Sequence, residues 1–208
     1  MCGRFEFTAA ESAELMQIIA SVQKRHDPSI PNLNFPCGEV LPGVNTPVMI
    51  AEGEKIVGDL QRWGMKSWDG KQIINARAET VMERPMFRKG FAEHRCVIPT
   101  TGFYEFDEDH RKYYFGEPGQ PMYLAGVSDV IEGVSCFVIL TTAPNRSMSD
   151  IHDRMPLILQ REQIRPWLTR PEEAVQILTI IPPLLSRKCM EAQVGIEGFQ
   201  AEDIELIR

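Results

Sequence analysis

Apolar positions near the start of the chain recur at helical spacing. They are Leu15, Ile18, Ile19 and Val22. Residues three and four apart share one face of an α-helix, so this spacing predicts an amphipathic helix within residues 8–24. Thr8 and Glu11 are spaced as a capping box, in which each side chain satisfies a backbone N–H group at the start of the helix. We therefore expect the first helix to begin at Thr8.

Downstream of this helix the pattern changes to short apolar or alternating runs separated by turn residues. Residues 28–47 are dense in Pro, Asn and Gly, which predicts an irregular connection. The runs that follow are typical of strands and are VMIAE, KIVGDLQRW, RCVIPTTGFYEF, KYYFG, PMYLAGVSDVIEG and VSCFVILTTA. Within the last run, CFVIL (136–140) is apolar on both faces, which predicts a strand at the centre of a sheet.

Two helical patterns, EQIRPWL and PEEAVQILTII, come late in the sequence, and we expect Pro166 and Pro182 to limit them. We find no internal repeat, low-complexity tract or composition shift that would mark a domain boundary. The pattern predicts the α+β class: a single compact domain over residues 1–208, mainly antiparallel β with peripheral helices, including a helical region over 160–208.

Composition excludes several classes of protein. The chain has 208 residues, 43% of them hydrophobic, which is ample for one core. It shows no signal-peptide pattern, and no apolar run approaches the roughly 18 residues that a membrane span needs. We therefore expect a cytoplasmic protein without a membrane partner. Five cysteines without a CxxC pair argue against a disulfide framework and a zinc ribbon, and no metal site is predicted.

The formal net charge of −7 does not favour nucleic acid, because phosphates are neutralised by clustered cations. Many basic residues nevertheless lie in or beside the distinctive segments. They are Arg4, Arg62, Lys66, Arg77, Arg84, Arg88, Lys89, Arg95 and Arg154. Two arrangements stay open: a basic cleft on an acidic body, or arginines scattered over a solvated surface.

Two predicted strands carry candidate chemistry. In INARAET, Asn75, Arg77 and Glu79 alternate with small alanines, so an extended backbone would project all three to one side. An exposed strand edge is the alternative. In GFYEF, Glu105 lies between aromatic residues, a setting that suits a general acid or base. A strand whose Glu105 faces water is the alternative.

Two predicted loops carry further candidates. IHDRMP places His152, Asp153 and Arg154 in succession, with His152 as the natural group for proton transfer. A solvated loop that contains a histidine is the alternative. In RWGMKSWDG, one of Trp63 and Trp68 could anchor the core while the other stacks on a ligand. Two core tryptophans are the alternative.

The chain opens with MCGRF, and Cys2 is small enough for the initiator Met1 to be removed. Cys2 would then carry both a free α-amine and a thiol. A cysteine without any chemical role is the simpler explanation of this position alone.

In their order and spacing, these motifs resemble the SOS response-associated peptidase (SRAP) family. MCGRF, WG followed by NARAET, RCVIP…GFYEF and HDRMP occur in the family's order, and the resemblance runs from Cys2 to about Leu159. It implies a compact, barrel-like, mainly β fold, with the catalytic residues within 2–159. It also implies a covalent crosslink to abasic sites in single-stranded DNA that needs no metal or cofactor. We expect a monomer that associates with the nucleoid when bound to DNA.

The resemblance assigns roles residue by residue. Cys2 matches the crosslinking nucleophile, which would form a thiazolidine with the sugar aldehyde. The other matching positions are Asn75 and Arg77 as the active-site pair, Glu105 as the acid-base group, His152 as the active-site histidine, Arg4 and Arg154 near the DNA backbone, and Trp68 as a stacking residue.

One position departs from the family pattern. Where many relatives have an asparagine, GEVLPG places Glu39, whose carboxylate would repel a phosphate. Either Glu39 turns away from the DNA, or this protein forms that side of its binding site differently. The imine stage of such a crosslink would also permit β-elimination, a lyase side reaction. A cysteine peptidase and a non-covalent single-strand binding module remain the alternatives.

Overall fold

The structure is a computed structural model that describes residues 2–26, 35–117 and 119–190. Its helices are α1 (Ala13–Arg25), α2 (Pro85–Glu93), α3 (Arg161–Thr169) and α4 (Pro171–Ile177). Its strands are β1 (Arg4–Phe7), β2 (Gly38–Val40), β3 (Asn45–Glu52), β4 (Lys55–Trp63), β5 (Met65–Lys66), β6 (Gln72–Ile73), β7 (Asn75–Arg77), β8 (Arg95–Thr100), β9 (Gly102–Phe106), β10 (Lys112–Gly116), β11 (Met122–Ile131), β12 (Val134–Thr142), β13 (Met155–Pro156), β14 (Ile158–Leu159) and β15 (Arg187–Cys189).

Five long strands close into a barrel. β12, β4, β3, β8 and β11 pair in that order, and β11 pairs with β12 to complete the ring. All these pairs are antiparallel except the parallel pair of β12 with β4. The side chains of Phe137, Val138, Ile139 and Leu140 on β12 are fully buried. The prediction of a central strand at CFVIL is therefore confirmed, as is the α+β barrel-like class.

A second sheet of five strands packs beside the barrel. Its order is β15–β10–β9–β1–β2, with every pair antiparallel. Its apolar face is aromatic: the rings of Phe103 and Phe115 stack with centroids 5.0 Å apart. The Phe5 ring lies 5.0 Å from the Trp63 ring of the barrel. This contact joins the start of the chain to the barrel, because Phe5 belongs to β1.

Helix α1 begins later than the capping box predicted. The Ser12 side chain accepts the N–H group of Leu15 and is the N-cap, whereas the Thr8 hydroxyl donates to Glu6 Oε1 at 2.9 Å. A short 3₁₀ turn over Ala9–Glu11 separates Thr8 from α1. The start at Thr8 was therefore wrong because the β1 residue Glu6 engages its hydroxyl. The predicted apolar face is confirmed, since Leu15, Ile18 and Val22 are buried.

Pro166 does not limit a helix, contrary to the prediction, but lies inside α3. Proline removes one backbone hydrogen bond there, while Ile164, Trp167 and Leu168 are buried. The Trp167 indole also donates to the Cys96 carbonyl at 2.9 Å. Burial of this apolar face therefore holds the helical backbone across the proline.

The predicted irregular connection is partly strand. Residues 28–34 of this segment lie outside the described residues. Further along, Gly38–Val40 forms β2, and β3 begins at Asn45, before the predicted VMIAE run. Edge pairing with β1 holds β2 extended, because the Phe5–Val40 pair contributes an apolar side chain to the core. Among the described residues, no helix has both the length and the apolar character to span a membrane.

The close packing of α1 on β4 gives a stability prediction. A Cβ added at Gly58 would lie 2.8 Å from the Ile18 carbonyl oxygen and 2.8 Å from a Val22 methyl carbon. We expect Gly58→Ala to lower the free energy of unfolding by about 1–3 kcal/mol, because backbone must move to admit the methyl group. Denaturant unfolding measures this, with Gln23→Ala on the exposed face of α1 as the control. An unchanged free energy for Gly58→Ala would contradict this packing.

Candidate functional site

Cys2 lies two residues before the start of β1 and has a fully buried side chain. The Asn75 amide Nδ2 donates to the Cys2 carbonyl oxygen at 2.8 Å. Asn75 reaches this position because β7 pairs in parallel with β12, with Asn75 opposite Ile139. The central barrel strand therefore brings residue 75 beside residue 2.

Glu105 and His152 join this pair from two further elements. Glu105 is on β9, whose neighbour is β1, and only 3% of the residue is exposed. His152 Nε2 lies 3.6 Å from Glu105 Oε1. The Glu105 carboxylate also acts electrostatically on the Cys2 thiol. The structure thus brings Cys2, Asn75, Glu105 and His152 together from four separate parts of the sequence. We call these four residues the Cys2 cluster.

The turn before β13 orients the His152 ring. The Arg154 backbone N–H donates to His152 Nδ1 at 3.0 Å, and Asp153 Oδ1 also lies 2.8 Å from Nδ1. The backbone N–H requires Nδ1 to accept a hydrogen bond, whereas the carboxylate requires Nδ1 to donate one. The turn holds the backbone amide in place, whereas the Asp153 side chain is 84% exposed and can rotate into solvent. With Nδ1 held by the turn, Nε2 faces Glu105.

The thiol of Cys2 is hard to ionise in this environment. Burial raises its pKa well above the ordinary value, and the nearby Glu105 carboxylate raises it further. The thiol hydrogen points to the Arg4 carbonyl oxygen, with the sulfur 3.6 Å away. Because the thiolate is disfavoured, a reaction at this sulfur needs a base close by that removes the proton as the new bond forms.

The INARAET segment does not keep its extended alternation to the end. β7 ends at Arg77, and Ala78–Thr80 forms a 3₁₀ turn, so Glu79 was wrongly expected on the same strand face. The turn directs the Glu79 carboxylate to Arg154, which binds it in a bidentate ion pair at 2.7 and 2.8 Å. Arg154 also donates to the Thr141 carbonyl at 2.6 Å, and its side chain is 14% exposed. This arginine therefore fastens the His152 turn to β12.

Arg77 is placed differently from Arg154. It is exposed, and within the described part of the chain it has no salt bridge. The backbone pairs Arg77 with Thr141 on β12, two residues along the strand from the Asn75 pair. Arg77 is therefore a cationic group beside the Cys2 cluster that can meet an anion from solvent.

The two tryptophans of RWGMKSWDG have opposite environments. Trp63 is fully buried and donates to the Ile74 carbonyl at 3.0 Å, whereas Trp68 is 99% exposed. Trp68 borders a largely apolar cleft of about 590 Å³. The cleft reaches the Cys2 cluster and is lined by Ile73, Asn75, Arg77, Met86 and Phe87 as well as Trp68. One tryptophan is thus a core residue, and the other is available to stack on a ligand.

Arg4 lies on the outer side of the five-stranded sheet and shares the Glu39 carboxylate with Lys112. Arg4 Nη1 donates to Glu39 Oε1 at 2.6 Å, and Lys112 donates to the other oxygen of the same carboxylate. Although partial burial opposes ionisation, the hydrogen bonds from Lys112 and Arg4 lower the pKa of Glu39. Glu39 therefore points along the outer face of the sheet, towards Arg4 and Lys112.

Sequence reasoning missed Lys112 and Thr141. Neither belongs to a motif, and both join the candidate residues through cross-strand pairing. Lys112 is opposite Phe106 on β9, and Thr141 is opposite Arg77 on β7. Strand alternation within KYYFG could have indicated the face of Lys112, but its partner strand was not predictable. Among the residues described, no group of three His, Cys, Asp or Glu side chains could hold a metal ion.

Comparison with known proteins places this arrangement in context. A family model described as SOS response associated peptidase (SRAP) matches residues 1–195. The abasic site processing protein YoqW of Bacillus subtilis (strain 168) is 35% identical over 185 residues, covering 81% of this chain and 80% of that protein. The abasic site processing protein YedK of Escherichia coli (strain K12) is 30% identical over 183 residues, covering 81% of this chain and 79% of that protein.

A crystal structure of a Bordetella bronchiseptica protein has the same fold. Its TM-score is 0.72 at 20% sequence identity, and the match covers 91% of this chain and 100% of that one. The family resemblance that the ordered motifs predicted is thus confirmed by the family model, and the fold by this structure.

The electrostatic contact between Glu105 and the thiol gives a prediction about reactivity. Glu105→Gln removes a charge that raises the pKa of Cys2, so more thiolate is present at a given pH. We expect the variant to react with iodoacetamide about two- to tenfold faster at Cys2 near pH 8.5. Peptide mass spectrometry measures the rate in a Cys37→Ser/Cys189→Ser background, because those two thiols are exposed. The control is Glu108→Gln on the same hairpin, and an unchanged or slower Glu105→Gln reaction would contradict the contact.

Proposed function

This chain belongs to the SOS response associated peptidase (SRAP) family, and from that premise we propose that it captures abasic sites in single-stranded DNA as a covalent thiazolidine at Cys2. Relatives that match four-fifths of the chain are named abasic site processing proteins. One observation carries the proposal: Asn75 holds the backbone of residue 2, and the Glu105 carboxylate that acts on the Cys2 thiol has the His152 imidazole 3.6 Å away.

The proposed reaction needs an amine and a thiol on one residue. Removal of Met1 makes the Cys2 nitrogen an α-amine, whose ordinary pKa of about 7.7–8.0 leaves part of it unprotonated near neutrality. The amine attacks the open-chain sugar aldehyde and expels its oxygen as water, giving an imine. The Cys2 sulfur then adds to the imine carbon, and the thiol proton passes to the nitrogen. The product is a five-membered thiazolidine ring that contains both the nitrogen and the sulfur of residue 2.

The environment of the thiol assigns a task to Glu105. Because burial and the Glu105 charge raise the pKa of Cys2, free thiolate is scarce and the proton has to leave during sulfur attack. Glu105 is the carboxylate that acts on this thiol, so we assign it proton transfer in imine formation and ring closure. His152 presents Nε2 towards Glu105, and we assign it assistance in opening the sugar and in the reverse reaction.

The sugar and its flanking strand have distinct binding groups in this proposal. Asn75 Oδ1 is buried and accepts no hydrogen bond within the described part of the chain, so it can accept one from a sugar hydroxyl. The exposed Arg77 neutralises a neighbouring phosphate, and Trp68 with its apolar cleft receives a base of the single strand. Arg154 acts chiefly by holding the His152 turn, and only its exposed edge contacts the DNA backbone.

Two other functions make different predictions. A peptidase would use Cys2 as an acyl-transfer nucleophile with His152, but the buried thiol with a raised pKa lacks the activation that such a nucleophile has. A non-covalent single-strand module would form no bond at all. The imine stage also allows β-elimination, so we include a lyase side reaction in the proposal. Borohydride separates these alternatives, because it traps protein on abasic DNA only where an imine forms.

The requirement for a terminal amine gives a direct test. Intact mass of the active protein should lack Met1, and insertion of one serine before Cys2 should abolish the heat-stable adduct because the thiol stays while the amine moves. Denaturing electrophoresis with a single-stranded abasic oligonucleotide measures the adduct. Cys2→Ala is the matched variant and should retain only a borohydride-dependent product. Full crosslinking by protein that retains Met1 would rule out the thiazolidine.

The two proton-transfer residues should have separable effects. We expect Glu105→Gln to slow adduct formation by about 10–100-fold while it speeds alkylation of the same thiol, because it removes a base and a charge together. His152→Ala should slow sugar opening or the transfer of protein from one abasic strand to a competitor strand. Single-turnover crosslinking and strand-exchange assays measure these rates. If neither rate changed in His152→Ala, the histidine would have no part in the reaction.

A further inference from the structure

Two cations and one carboxylate form a row on the outer face of the five-stranded sheet. Arg4 is the first residue of β1, Glu39 is on the edge strand β2, and Lys112 begins β10. The Glu39 carboxylate accepts from Arg4 with one oxygen and from Lys112 with the other. This row is two residues along the chain from Cys2, and it forms no part of the Cys2 cluster.

Aromatic rings hold both cations independently of Glu39. The Arg4 guanidinium lies 5.4 Å from the centroid of Phe106, and the Lys112 ammonium lies 4.0 Å from the centroid of Tyr104. Such cation–π contacts fix the positions of the charges without consuming their hydrogen bonds. These two ring contacts do not involve the carboxylate.

Solvent reaches this row. The Arg4, Glu39 and Lys112 side chains are 42%, 29% and 27% exposed. A guanidinium and an ammonium that share one anion are a typical phosphate site, and a carboxylate binds such donors in a similar geometry. Glu39 thus lies where the two cations would otherwise bind a phosphate oxygen pair.

We propose that Arg4 and Lys112 form a phosphate-binding pair for the single strand and that Glu39 occupies this pair in the free protein. The inference rests on the proposed function, which supplies the strand. Each strand that binds has to exchange its phosphate for the carboxylate, so non-covalent affinity for undamaged DNA is lowered. Selectivity for abasic sites then comes from the covalent step at Cys2, because weakly bound undamaged strands leave without reacting.

Binding of an undamaged strand tests the exchange without interference from crosslinking. The probe is fluorescein-labelled oligothymidylate, and anisotropy gives its affinity at 50 and 200 mM salt. We expect Glu39→Gln to bind about three- to tenfold more tightly at the lower salt concentration. When Arg4 and Lys112 are both replaced by Gln, the slope of log K against log salt should be shallower by about 0.7, the value for the loss of one single-strand phosphate contact.

A matched variant separates exchange from general electrostatics. Glu108→Gln removes the same charge from an exposed position on the β9–β10 hairpin and should change affinity less than twofold. In an Arg4→Gln/Lys112→Gln background, the gain from Glu39→Gln should fall to the Glu108→Gln level, because the phosphate pair is gone. Thermal melting confirms that each variant is folded.

The proposal would be overturned if Glu39→Gln raised the affinity no more than Glu108→Gln does. It would also be overturned if Glu39→Gln gave its full increase in affinity without Arg4 and Lys112, or if neither the wild type nor Glu39→Gln bound the undamaged strand. Undamaged competitor should also inhibit abasic-site crosslinking more strongly in Glu39→Gln than in the wild type. Failure of the proposed function would be seen separately, because the wild-type protein would then form no adduct with an abasic strand. The affinity comparison would still decide the role of Glu39.

Discussion

The site depends on one strand that has to be buried on both faces. Four successive apolar side chains of β12 are inaccessible to solvent, which is stable only if other elements cover both sides of the strand. β12 accordingly pairs with β4, β7, β11 and β13 along different parts of its length. The parallel pairing with β7 sets the position of Asn75, and the chain beyond β12 turns back through His152 into β13. Burial of apolar surface in one strand thus positions two of the candidate site residues.

Hydrogen bonding to backbone completes the positioning. The side chain of Asn75 binds the Cys2 carbonyl, and that of Arg154 binds the Thr141 carbonyl. The first bond ties the chain end to β7 and the second ties the His152 turn to the barrel strand β12, and a buried backbone carbonyl that lost such a donor would be left unsatisfied. Residue 2 and the His152 turn therefore have fixed places around Glu105, although neither belongs to a long element.

Part of the positive charge near the site is paired within the protein. Glu79 binds Arg154 and Glu39 binds Arg4, whereas Arg77 stays exposed without a salt bridge among the described residues. Although the chain has a net charge of −7, the exposed Arg77 and Arg84 line the cleft beside Trp68, so this place need not repel DNA.

The sequence by itself determined the elements whose signal is local. The apolar CFVIL run and the helical spacing of Leu15, Ile18 and Val22 each report how a segment is buried, and the structure confirms them. The ordered motifs also identified the family. Predictions that depended on a neighbour outside the segment were wrong, because β1 engages the Thr8 hydroxyl through Glu6 and burial carries α3 past Pro166.

Only the tertiary structure decided which candidate residues meet and which charges are already neutralised. Asn75 and Cys2 are 73 positions apart, and Arg4 and Glu39 are 35 apart. No local pattern encodes these distances, since strand order and register across two sheets set them. For that reason the sequence could name Glu39 as a departure from its family, whereas its binding to Arg4 and Lys112 became apparent only when β1, β2 and β10 came together in one sheet.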